Sequence, residues 1–193
     1  MFVRGGSTPV PTTVPTIARP RRVLGIDPGL TRCGYAVIDG APTPKIVALG
    51  VLRTPATEPL PARLATLLGD LEGLFDEFGP DAVAVEQVFF QANTRTAMGT
   101  AQASGLALAL AERRGCRVRQ YTPTRVKETV AGWGRADKAQ VQRMVQSRLG
   151  LAVLPSPADA ADAAALALCH LACEPLEMRV ARDLGSRVAG APR

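Results

Sequence analysis

Three short apolar runs follow one another with almost nothing between them: Arg22-Val-Leu-Gly-Ile-Asp27, Cys33 to Asp39, and Ile46 to Leu52. Only Pro- and Gly-containing turns separate them, and links that short cannot carry a parallel crossover. The chain is therefore predicted to begin its folded part as an antiparallel three-stranded meander. The pattern then changes period. Leu64, Leu67, Leu68, Leu71, Leu74, Phe75 and Phe78 form one apolar helical stripe, which Gly79-Pro80 ends. Asp81 to Glu86 reads as a fourth strand, Thr96 to Arg113 as an alanine-rich helix, and Val118 to Tyr121 as a fifth strand. Strand, helix, strand implies parallel pairing for these two.

A short helix is expected after Thr122-Pro123, another from an Asp137 N-cap to Leu149, and a last one over Ala158 to Leu171. The sum is an α/β chain with a mixed five-stranded sheet, three strands antiparallel and two parallel, and helices on both faces. Several folds meet that description. Residues 1–21 hold four prolines and four threonines and read as a disordered tail. Residues 22–173 read as one domain. Residues 174–193, rich in mixed charge with Gly and Pro, read as a flexible basic tail.

Charge is informative once it is located. The chain carries +6 overall, but residues 113–148 hold ten Lys or Arg against Glu128 and Asp137 alone. That window is +8, which leaves −2 for the rest, and such concentration suits a polyanion partner. An arginine-rich solvated face is the alternative. No stretch approaches the roughly 18 to 20 apolar residues of a membrane span, and no secretory h-region opens the chain, so a cytoplasmic address is expected. Cys33, Cys116, Cys169 and Cys173 lie in apolar surroundings without zinc-ribbon spacing, which favours reduced core thiols. Cys169, His170 and Cys173 supply at most three ligands on an Ala/Leu helix and read as packing.

Four acids stand out. Asp27 ends the first strand and Glu86 ends the fourth, so adjacent strands would hold two carboxylates side by side, costly without a cation. Asp159 and Asp162 lie three apart at the start of the last helix and share a face of it. Together the four could bind two Mg2+ ions about 3.5 to 4 Å apart, the arrangement used in phosphodiester cleavage. All-oxygen ligands favour Mg2+ or Mn2+ over zinc. Singly, each acid has a plainer reading as a turn residue, strand-end charge or helix cap.

These blocks carry a resemblance. Leu24-Gly-Ile-Asp-Pro-Gly29 with Gly34-Tyr35, Val85-Glu-Gln-Val-Phe89, Val126-Lys-Glu-Thr-Val130 with Gly132 and Gly134, Lys138-Ala-Gln-Val-Gln142, and Ala158-Asp-Ala-Ala-Asp-Ala163 resemble, in order, the blocks of the RuvC family of Holliday-junction resolvases. The resemblance implies a ribonuclease H-like nuclease domain over residues 22–173. It also implies a homodimer, and Mg2+-dependent paired nicking of four-way DNA junctions during recombination and repair. By position it makes Asp27, Glu86, Asp159 and Asp162 the catalytic metal site. It further makes Phe89 an aromatic that stacks on a base near the crossover, and Lys127 and Lys138 the basic residues near the cleaved strand. A core phenylalanine and chance surface lysines are the alternatives.

Lys127 and Lys138 are two of only three lysines among twenty arginines, and a compact ammonium suits a point contact with phosphate. The RuvA and RuvB branch-migration complex is the further partner implied. Trp133, in a Gly-flanked loop between those lysines, is left with an open, DNA-facing role. Gly99, Ala103, Leu106 and Leu110 suit either a dimer face or packing within one subunit. Two rival classes remain in view. An actin-like or sugar-kinase phosphotransferase would duplicate the fold, for which this chain is too short, and a noncatalytic DNA-binding module would gain nothing from the acids.

Overall fold

The computed structural model describes residues 21–40, 43–88 and 94–189. Five strands, β1 (Arg22–Asp27), β2 (Arg32–Asp39), β3 (Lys45–Arg53), β4 (Ala82–Glu86) and β5 (Arg117–Tyr121), form one sheet in the order β3-β2-β1-β4-β5. The meander pairs antiparallel, while β4 joins β1 and β5 joins β4 in parallel. The mixed five-stranded sheet read from the sequence is the one observed.

Alternation along each strand sorts side chains to two faces. On one, Leu24 and Ile26, Cys33 and Val37, and Val83 and Val85 pack beneath α1 (Leu60–Phe78) and α2 (Thr94–Arg113). On the other, Val23, Ala36, Ile38, Ala82 and Ala84 meet α3 (Pro123–Ala131), α4 (Lys138–Leu149) and α5 (Ala158–Ala189). Ala103 and Leu110 are buried within the subunit against the first of these faces. For these two residues the packing reading holds and the dimer-face reading does not.

Local chemistry sets the helix ends. Helix α1 starts four residues before the expected Leu64, because Pro61 lies in the first turn, where its missing N–H is no loss. It ends at Gly79, left-handed at φ 53°, whose N–H reaches the Phe75 carbonyl. Thr122 caps α3. Asp137 caps α4 as expected and does so reciprocally, since its carboxylate takes the Gln140 N–H while the Gln140 side chain takes the Asp137 N–H.

Helix α5 departs from the sequence reading. It continues to Ala189, past the expected end at Leu171 and through the segment read as a flexible tail from Glu174. Glu174 is buried rather than solvated, with Arg21 and Arg117 ion-paired to its carboxylate and His170 Nε2 3.5 Å away. A charge that reads as tail is thus a node inside the domain.

Close contact between α5 and the sheet fixes where the acids of the helix can lie. A Cβ on Gly25 of β1 would lie 2.0 Å from the Ala163 carbonyl oxygen, and one on Gly34 of β2 would lie 2.1 Å from that of Asp159. Small residues on both surfaces, Gly25, Gly34, Ala36, Ala82 and Ala84 against Ala163, Ala164 and Ala167, let the helix backbone rest on the sheet backbone.

Candidate active site

Strand parity turns Asp27 and Glu86 toward α5, because Val23 and Gly25 precede Asp27 on that face, as Ala82 and Ala84 precede Glu86. The parallel register sets Ile26 beside Val85, so the next residues, Asp27 and Glu86, are neighbours at the carboxyl ends of the two central strands. Their carboxyls share a hydrogen bond. Burial first, then the charge of Glu86, pushes Asp27 up to about 8, with Asp162 and Asp159 adding to the rise. Burial also raises Glu86, with Asp162 acting the same way and Lys138 opposing. This is the behaviour of acids crowded together at low dielectric, and the pair holds a proton in common.

Gly34, the register partner of Asp27, carries the first turn of α5 directly above it, which brings Asp159 and Asp162 over the same strand end. Each of these acids is engaged by a cation of the chain itself. Arg32 Nε donates to Asp159 Oδ2 at 2.7 Å, and Lys138 Nζ donates to Asp162 Oδ2 at 2.7 Å. The bond to Asp162, followed by its charge, raises Lys138, with Asp27 and Asp159 contributing. Drawn aside in this way, the acids do not close into a ligand cluster of three or more among the described residues.

A cavity of about 220 Å³ opens beside the acids. Glu86, Asp162, Lys127 and Lys138 form its charged rim, and Val126, Val141 and Leu166 line its floor. All six acids and lysines proposed from the sequence, save Asp27 and Asp159, therefore border one hollow, and those two lie against its neighbours. Phe89 falls outside the described residues. Arg32 was missed by the sequence reading, since its bond to Asp159 spans 127 positions. Its place at the start of β2, just after the turn that follows Asp27, is the one local hint.

The basic window is partly engaged within the fold. Arg113 pairs with Glu72, Arg114 with Asp76, and Arg117 with Glu174. Cys33, below the acids, is a buried thiol pushed up to about 12 by desolvation and is inert. Tyr121 and His170 Nδ1 share a buried hydrogen bond of 3.0 Å. No helix of the described residues is long and apolar enough to cross a membrane.

A mixed sheet in this order, flanked by helices on both faces, defines the ribonuclease H-like class. Its structural neighbours include resolvases: an RuvC of Thermus thermophilus in complex with Holliday junction substrate superposes with a TM-score of 0.77 at 35% identity, over 81% of this chain and 96% of that one. The yeast mitochondrial Holliday junction resolvase Ydc2 shares the fold at a TM-score of 0.64 and 17% identity, over 90% of this chain and 87% of that one. The family model for crossover junction endodeoxyribonuclease RuvC matches residues 23–170. Relatives bearing that description include one from Parafrankia sp., 52% identical over 89% of this chain and 97% of its own length, and one from Frankia alni, 58% identical over 78% and 77%. The chain belongs to the RuvC family.

Proposed function

We propose that this protein resolves four-way DNA junctions by paired, symmetric, metal-dependent nicking, with two copies acting as a homodimer on a two-fold substrate. The observation that carries this is the gathering of Asp27, Glu86, Asp159 and Asp162 at one end of the sheet, beside a hollow rimmed by Lys127 and Lys138. Four carboxylates around a shared proton, two of them held by Arg32 and Lys138, form a site whose charge calls for cations. The donor set is all oxygen, which fits Mg2+, with Mn2+ the alternative and two ions per subunit the expected count. Bound there, divalent ions supply Lewis-acid stabilisation to the phosphate under attack.

The chain's own residues do the rest. Asp27 and Glu86 would hold the ions as carboxylates, their common proton passing to solvent. Asp159 and Asp162, engaged here by Arg32 and Lys138, would complete the ligand set, and the Lys138 ammonium, with Lys127, would face the cleaved strand and offset phosphate charge. Phe89 follows Glu86 by three residues and is assigned a base-stacking role near the crossover. The junction held by the Thermus thermophilus relative supports the substrate, and the RuvA and RuvB branch-migration complex is the partner that would deliver it. A nicking assay on synthetic four-way, three-way and linear duplex DNA tests the proposal. Mg2+-dependent, paired cuts confined to the branched substrates are expected, whereas cleavage indifferent to branching would leave a nuclease that is not a resolvase.

A further inference from the structure

Trp133 is the chain's only tryptophan, and half of its surface is exposed. Its indole enters no ring contact or side-chain hydrogen bond among the described residues. Scattered apolar residues on a surface are ordinary, but this one sits on a loop tied down on both sides of it. Gly132, at φ 90°, closes α3 with its N–H on the Glu128 carbonyl. The next glycine is pressed onto α3, since a Cβ on Gly134 would lie 2.9 Å from Thr124 Cγ2 and 3.0 Å from Glu128 Oε1. The Ala136 N–H returns to the Trp133 carbonyl at 3.2 Å, a turn that keeps the two Cα atoms within about 7 Å. Ala136 is itself fully buried, and the Asp137 capping box starts α4 one residue later.

A loop so anchored displays the ring in a set position. The loop joins the end of α3, the helix of Lys127, to the capped start of α4 at Lys138, five residues after Trp133, and its Gly134 rests on Thr124 and Glu128. Arg135 adds an exposed positive charge, while Asp137 is occupied by its cap and Glu128 is turned against Gly134. An exposed aromatic on a loop between two lysine-bearing helices suits stacking on bases of an opened strand.

We propose that the Trp133 indole is a stacking platform for a nucleobase of the junction strand engaged by Lys127 and Lys138, and so a positioning residue for cleavage. This rests on the junction-nuclease reading of the same site. A duplex hides its base faces and an opened junction presents them, so the platform adds to the preference for branched DNA.

Because no other indole is present, tryptophan emission reports Trp133 directly. The full-length protein without divalent ions is titrated with an unlabelled four-way junction, and binding is followed separately by anisotropy of a labelled junction. Saturation is expected to quench the emission and to shield the indole from acrylamide. In steady-state cleavage, Trp133→Ala is expected to raise KM by roughly five- to a hundredfold, with a smaller change in kcat. Trp133→Phe should retain most of the affinity, and both variants should melt as the wild type does. Junction binding with unchanged emission and unchanged acrylamide access would overturn the proposal, as would wild-type KM in Trp133→Ala. Absence of any junction binding by anisotropy would instead overturn the nuclease reading beneath it.

Discussion

Gly25→Ala is the sharpest perturbation of the framework that holds the acids together. The added Cβ would sit 2.0 Å from the Ala163 carbonyl oxygen, where real Cβ atoms keep at least 3.0 Å, so strand and helix must part by about 1 Å. Neither partner is a flexible side chain: β1 is the central strand and α5 is buried along this stretch. Overpacking of this kind costs about 1–3 kcal/mol, and the backbone clash puts this case at the upper end. For a chain of this size that lowers Tm by roughly 6–12 °C. The same 1 Å lifts Asp159 and Asp162 from Asp27, and misplacement on that scale reduces a rate by about a hundredfold. Calorimetry, and single-turnover cleavage at saturating enzyme below the melting range, measure the two effects. Gly69→Ala, on the exposed side of α1 with nothing within 4 Å, serves as the control and should stabilise by about 0.5–1 kcal/mol. A Gly25→Ala protein with wild-type Tm and rate would refute direct backbone contact as the device that places α5.

Asp27→Asn and Asp162→Asn are each expected to abolish cleavage, by at least about a hundredfold, while retaining junction affinity in a gel-shift titration; an unchanged rate removes that residue from the site. The native metal-free protein holds a proton on Asp27, at about 8, that the unfolded chain releases near 3.8. The stability this contributes is therefore complete below the unfolded value and declines as pH rises through the folded one. Wild-type Tm measured in EDTA should fall against Asp27→Asn over that range, and Mg2+ should raise Tm more at the alkaline end; parallel pH profiles for the two proteins would count against a shared proton. Lys138→Met should move two quantities in opposite directions, tightening Mg2+ by calorimetry, since Asp162 loses its competing cation, while slowing cleavage by about tenfold or more. A fall in both would show that Lys138 assembles the site rather than holding it closed.

The reach of sequence reasoning follows the range of the interactions involved. Asp27 and Glu86 were legible because each ends an apolar strand, and alternation with parallel pairing sets them side by side. The Asp137 cap was legible because Asp-x-x-Gln is local chemistry. The partners of Asp159 and Asp162 were not, since Arg32 and Lys138 stand 127 and 24 positions away and their pairing follows from how α5 packs on β2 and α4. The closeness of α5 did leave a trace, in the small residues at alternate positions of β1, β2 and β4. It passes unnoticed when strands are scored for hydrophobicity alone, because glycine and alanine add little to that score. The end of α5 was misjudged for the opposite reason, as Glu174 looks solvent-bound until Arg21 and Arg117 are seen to enclose it.

That enclosure has a practical corollary for anyone handling the protein. Arg21 precedes β1 at the end opposite Asp27, about 17 Å from the carboxylates, the length of a six-residue strand. Glu174 meets it there, and the helix leaves the domain at the same corner. Trimming back to Cys173 would therefore take away the buried carboxylate that Arg21, Arg117 and His170 share, and with it the tie between the start of β1 and α5.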